Sequence, residues 1–149
     1  MTDIRPRSIG ALIFDCFETL DLFGPIEMFG TLENHYVTTL VAETSDAVKS
    51  HHVQTVMPNA TVGDTHRYDM LLISGGRGTP IENSRPLIDA RLVDQNSTAE
   101  LVLTVCADSS LVARNGLLDG FKATTNKMAI DWIAKFGSKV DWVPKARWV

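Results

Sequence analysis

Leu101-Val102-Leu103-Thr104-Val105-Cys106-Ala107-Asp108-Ser109-Ser110-Leu111-Val112-Ala113-Arg114-Asn115-Gly116 is the stretch on which the fold turns. Its first five residues form the most continuous run of strand-forming side chains in the chain. Ser109 to Arg114 then read as a helix that stops at Asn115-Gly116, a stop signal because Asn and Gly tolerate the left-handed backbone of a helix C-terminus. Cys106 therefore falls at a strand-to-helix turn. At such a turn the side chain projects out of the sheet and the N–H groups of the new helix point near it, which favours a thiolate. The alternative is a buried structural cysteine, since free Cys is among the most buried residue types.

Outward from this unit the same alternation repeats. Ile9 to Phe14 reads as a buried strand, Gly24-Pro25 as the opening of a helix through about Thr31, and Tyr36 to Ala42 as a second strand. His52 to Met57 reads as a short strand closed by Pro58-Asn59, and Tyr68 to Ile73 as another, running straight into Ser74-Gly75-Gly76-Arg77-Gly78. Arg85 to about Gln95 has Leu87, Ile88 and Leu92 at helical spacing, and Lys127 to Phe136 reads as a final helix capped by Gly137. Short apolar strands alternating with helices predict an α/β fold with a parallel sheet covered on both faces. Ligands of such sheets bind beyond the carboxyl ends of the strands, where Cys106 and the glycine loop at 75–78 fall.

The glycines of that loop allow close backbone approach and offer N–H donors to an oxyanion; they also fit a plain turn. The loop is neither a Walker loop nor a dinucleotide fingerprint. Asp21, flanked by Leu20 and Leu22, is an acid in apolar surroundings, where burial is costly without a partner. It fits a general acid or base facing the cysteine, or else a loop acid or helix cap, with Glu18 as the nearby alternative. His35, His51, His52 and His66 have no metal-ligand spacing, so no metal site is expected, and no Cys–His dyad is readable.

The bulk numbers exclude other classes. The 149 residues suit one domain and carry a net charge of −4 with no basic run, which leaves no electrostatic footprint for nucleic acid or an anionic membrane. Two widely spaced cysteines, Cys16 and Cys106, do not make a disulfide framework and suit a reducing cytoplasm. Ile9 to Phe14 is too short for a signal peptide or a membrane span.

The ordered set Leu20-Asp21-Leu22-Phe23-Gly24-Pro25, Gly75-Gly76-Arg77-Gly78, Val105-Cys106, Gly116-Leu117-Leu118-Asp119-Gly120 and Ala123-Thr124-Thr125-Asn126 resembles the DJ-1/PfpI family of the class I glutamine amidotransferase-like superfamily, and most of all its isocyanide hydratase branch. The resemblance covers nearly the whole chain. It implies a flavodoxin-like three-layer sandwich with a mostly parallel sheet, a nucleophile elbow and a homodimer. It further implies Cys106 as nucleophile, Asp21 as its acid, and N–H groups of Gly75 or Gly76 and of Ala107 lining an anion pocket. The implied reaction hydrates a small isocyanide to an N-substituted formamide without a cofactor. The alternative is a non-catalytic or redox-responsive member. The ligand-sensing half of a transcription regulator uses the same domain, but no helix-turn-helix is readable here.

Three departures from the pattern carry expectations. Asp108 stands where the hydratase branch has Gly, and is expected either to place a negative charge beside the thiol or, with Ser109, to cap the new helix. Cys16 stands where relatives have a small residue and reads as a packing or secondary redox cysteine. Relatives continue for roughly another 50 residues or more, so 1–149 reads as a single domain lacking that part, with an apolar face or a sheet edge left open.

Overall fold

In a computed structural model the described residues are 5–32, 34–79 and 85–149, so the first residues of the basic N-terminus, Met1–Ile4, lie outside them. The chain runs β1 (Arg7–Leu12), α1 (Thr19–Gly30), β2 (Tyr36–Ala42), β3 (Val48–Lys49), β4 (Thr55–Val56), β5 (Ala60–Thr61), β6 (Met70–Ile73), α2 (Pro86–Asn96) and β7 (Leu101–Thr104). A 3-10 turn, Cys106–Asp108, leads into α3 (Ser109–Arg114), followed by β8 (Lys122–Ala123), α4 (Ile130–Ile133) and β9 (Asp141–Trp142). Five strands form one sheet in the order β5-β2-β1-β6-β7, and each neighbouring pair is parallel. This is the expected flavodoxin-like α/β architecture, and its core is the one the apolar runs announce. Ile9, Ala11 and Ile13 are fully buried, and Leu72 and Ile73 nearly so, beside Leu22 of α1, Ile88 of α2 and Leu111 of α3.

Two polar clamps fix strand order at the amino ends. Asp69 accepts both guanidinium nitrogens of Arg5 at 2.7 and 2.6 Å and the N–H of Ser8 at 2.8 Å, joining the starts of β1 and β6. Gln95, buried in α2, accepts the Tyr68 N–H at 3.1 Å and donates to the His66 carbonyl at 2.7 Å. A buried amide paired at both ends costs little and fixes one register between helix and strand.

Several elements differ from the sequence reading. α1 begins at Thr19, before Gly24-Pro25, and holds Pro25 in its interior. The helix starts early because the Glu18 N–H is tied to the Gly75 carbonyl at 2.7 Å, and Pro25 withholds the N–H that would bond the Asp21 carbonyl one turn back. The strand read over His52 to Met57 is only Thr55–Val56, paired antiparallel with Val48–Lys49. Ser50 and Gln54 close the intervening turn through their own backbone and side chains, so pairing starts beyond it. The last helix is a single turn, Ile130–Ile133, continued by a 3-10 turn to Phe136. β7, for all its continuity, is the edge strand: Leu101 is exposed and Val102 to Thr104 are only half-buried.

Candidate active site

Three segments converge at the carboxyl end of the sheet: the turn after β7, the loop after β6, and the first turn of α1. Cys106 sits in the first with φ at +62°, a left-handed conformation that L-residues with a Cβ rarely adopt. Such a conformation persists when neighbours hold it. The Thr125 hydroxyl donates to the Cys106 carbonyl at 2.8 Å and accepts from the Ser109 hydroxyl at 2.6 Å, so two hydroxyls clamp the turn from both sides.

The half-buried sulfur faces three groups. The Ala107 N–H and the Asn126 side-chain amide, whose Nδ2 lies 3.4 Å from Sγ, both favour the thiolate. The Asp21 carboxyl interacts with the thiol directly. Burial pushes the Cys106 thiol up and the Asp21 charge pushes it further, against the pull of Ala107 and Asn126. Burial likewise pushes Asp21 up; contact with the thiol draws it back, and the charge of Glu18 adds to the rise. Both groups are thus raised, and the protonation of each bears on that of the other.

Gly75 is fitted between them. A Cβ there would lie 2.8 Å from Asp21 Oδ2, 2.8 Å from Cys106 Cβ and 2.9 Å from the Val105 carbonyl oxygen, so any side chain would wedge the acid from the thiol. Gly76 faces elsewhere. Its Cα lies against the Cys16–Glu18 backbone, with φ at +147°, and a Cβ would come within 2.4 Å of the Cys16 carbonyl oxygen. The structure therefore brings together Cys106, Asp21, Gly75 and Ala107, and sets Gly76 one step aside as a seam between two loops. Glu18 turns outward, 3.6 Å from His52 Nε2, so Asp21 rather than Glu18 is the acid at the thiol.

Asp108 meets neither expectation. It occupies the N-cap position of α3 but makes no side-chain capping hydrogen bond, and its carboxyl is fully buried with neither oxygen in hydrogen-bond geometry to a partner among the described residues. The Thr79 hydroxyl beside it draws its pKa down a little but gives its own proton to the Gly76 carbonyl at 2.7 Å. Burial raises Asp108 well above the usual carboxylate range and the Asp21 charge adds to the rise, so the protonated form is favoured beside the turn at Cys106. Cys16 is exposed, which removes the packing reading; like Cys106 it has φ at +62°. Among the described residues no group of three or more His, Cys, Asp or Glu is placed to hold a metal ion, and no helix is long and apolar enough to cross a membrane.

A parallel α/β sheet with a strained cysteine on the turn after an edge strand, backed by a carboxyl from the first helix, defines the glutamine amidotransferase-like class of cysteine-elbow proteins. Within it the chain belongs to the DJ-1/PfpI family, whose model matches residues 7–143. It is 28% identical over 131 residues to the isonitrile hydratase of Pseudomonas putida, covering 87% of this chain and 57% of that protein. An uncharacterized protein encoded in the cpoL 5' region of Streptomyces lividans is 27% identical over 124 residues, 81% of this chain and 88% of that one. The crystal structure of a ThiJ/PfpI family protein from Pseudomonas syringae superposes with a TM-score of 0.84 at 30% identity, over 97% of this chain and 59% of that chain. The chain thus spans somewhat over half the length of the hydratase and of the P. syringae protein.

Proposed function

We propose that the protein is a cysteine-dependent hydratase of small molecules, with isocyanides as substrates. The observation that carries this is Cys106 at φ +62° with the Asp21 carboxyl on its sulfur. The similarity to an isonitrile hydratase supports the choice of substrate class.

The chemistry follows from the shared proton. Asp21 takes the Cys106 proton, and the thiolate attacks the terminal carbon of R–NC, forming the C–S bond. Asp21 returns that proton to the same carbon, giving a thioimidate, R–N=CH–S–Cys106. Water adds to this carbon, one of its protons passes to nitrogen, and the C–S bond breaks. Cys106 recovers a proton, and R–NH–CHO leaves. The negative charge that develops during attack is met by the Ala107 N–H and by the Gly75 N–H, donors that keep their geometry through the step. A redox-responsive reading requires a thiolate at rest, and burial together with the Asp21 charge opposes one.

The test is formamide formation from an alkyl or aryl isocyanide. Activity in the parent protein that falls by a factor of about a thousand or more in Cys106→Ala supports the reading, on the scale expected for removal of a covalent nucleophile. Turnover that survives in Cys106→Ala sinks it.

A further inference from the structure

An apolar groove leads away from the Asp21–Cys106 pair. The pair joins α1 to the end of β7, and Asp21 Oδ2 and Cys106 Cβ both lie 2.8 Å from the point where a Cβ on Gly75 would fall. The groove runs between the same helix and the same strand. Its floor is Leu72 and Leu103, register partners on β6 and β7. Its wall is Pro25, Met28 and Phe29 of α1, with Leu32 just beyond. These follow Asp21 at helical spacing, so they share its face of the helix, and Pro25 stands one turn from it. Thr104 and Val105, which line the near end, are the two residues before Cys106. The Tyr36 ring braces Phe29 at a centroid distance of 4.9 Å, while Met28 is 73% exposed at the rim. None of these lining side chains is charged, and the groove holds about 350 Å³, within the roughly 300–1,000 Å³ of small-molecule sites.

We propose that this groove is the substrate's specificity site and takes a slim apolar group, an alkyl chain above all, laid along α1 and β7 with the reacting carbon at Cys106 Sγ. This rests on the reading of Cys106 as the nucleophile and adds the class of group that the nucleophile receives. An isocyano function is only two atoms long, and its carbon must meet the sulfur, so selection falls on the group carried by nitrogen. An alkyl chain in the groove covers Leu103, Met28 and Leu32 and removes apolar surface from water on both sides. A charged group there would lose its hydration and find no partner. Met28, unbranched and at the rim, adapts its shape to chains of different girth. The groove starts at the reacting pair, and that continuity favours the substrate over a second copy of the chain as its occupant.

The test measures alkylation of Cys106 by N-methyl-, N-butyl- and N-hexylmaleimide in a Cys16→Ser background, each rate divided by that of the same reagent with glutathione. The normalised rate is expected to rise about two- to fourfold for each methylene that enters the groove, so that the hexyl reagent outpaces the methyl one by about 30-fold or more. Met28→Glu, a change at an exposed position, is expected to cut the hexyl-to-methyl ratio by about tenfold, and Leu32→Glu serves as a second such variant. Leu87→Glu, the same change at an exposed residue of α2 outside the groove, is expected to keep the ratio. A flat series, or a rise that survives both Met28→Glu and Leu32→Glu, would overturn the proposal. A flat series with a dimer that Met28→Glu dissociates, read by sedimentation, would assign the groove to a second copy instead. Isocyanide turnover plays no part in the measurement. A rising series without formamide production leaves the groove standing and sinks the hydratase reading, whereas a flat series in an active hydratase overturns the groove alone. No reaction with any reagent would overturn both this proposal and the nucleophile it rests on.

Discussion

Asn126 reaches the Cys106 sulfur with an amide whose orientation is fixed. Its Oδ1 accepts the Met128 N–H at 3.0 Å, which leaves Nδ2 as the atom directed at the sulfur, 3.4 Å away. Unlike a histidine, an amide donor does not titrate, so its support for a thiolate is the same at every pH. Asn126→Ala is expected to slow Cys106 alkylation at pH 7 by about two- to tenfold, the range of one net hydrogen bond; a rate equal to the parent's would show that the 3.4 Å contact carries no energy. Much of this site was legible in residues. Cys106 could be placed from the strand before it and the helix after it, and Asp21 from an acid set among leucines. Asn126 could be quoted but not placed, because nothing in a sequence says that residues 20 positions apart meet. Asp108 was read from its usual habits, helix capping and negative charge; only the fold shows that it stands at the N-cap of α3 with its carboxyl wholly buried and making no capping bond.

At the scale of elements, the legible parts are those fixed by local pattern. Tyr36–Ala42 and Ser109–Arg114 form as the β-branched run and the Asn115-Gly116 stop require, and Asn115 closes α3 with its own side chain on the Leu111 carbonyl at 2.9 Å. The illegible parts are set by long-range bonds. α1 begins where Glu18 is tied to Gly75, which overrides the Gly24-Pro25 signal. β7 is the most continuous strand in sequence yet lies at one edge of the sheet, a place its own pattern does not reveal because pairing order is a property of the sheet and not of the strand. Close approach also sets β1. A Cβ on Gly10 would fall 2.5 Å from the Tyr68 ring, which packs over the strand there. Gly10→Ala is expected to cost about 1–3 kcal/mol by overpacking, read as a lower urea midpoint with unchanged slope. An unshifted midpoint would mean that Tyr68 moves aside without penalty.

At the scale of the whole molecule, the site is a burden on stability. Burial raises Asp108 well above its ordinary carboxylate value in the folded protein, whereas it ionises freely in the unfolded chain, so the folded state binds more protons once the pH exceeds about 3.9. Its contribution is present in full below that value and is lost as the pH rises toward the folded pKa. Asp108→Asn, which never ionises, is expected to match the parent near pH 3 and to exceed it in melting temperature by a margin that grows as the pH rises above about 4. A margin independent of pH would mean that Asp108 is already charged when folded. Asp69 works in the opposite direction. Arg5 and Ser8 hold it well below the usual carboxylate range, so its contribution is present above about pH 3.9 and fades on acidification.

The hydroxyl clamp on Cys106 also sets when the site comes into being. Thr125, which holds the left-handed turn through the Cys106 carbonyl, and Asn126, which faces the sulfur, lie 19 and 20 residues further along. Chains are synthesised and fold from the N-terminal end. Until the Thr124–Asn126 segment emerges and docks, the Cys106 carbonyl lacks the hydroxyl that holds the turn and the sulfur lacks its amide donor. The contacts at the turn are therefore completed late, by the closing of the chain on itself, and a ribosome-bound intermediate that already displays all five strands of the sheet still lacks the Thr125 hydroxyl and the Asn126 amide at Cys106.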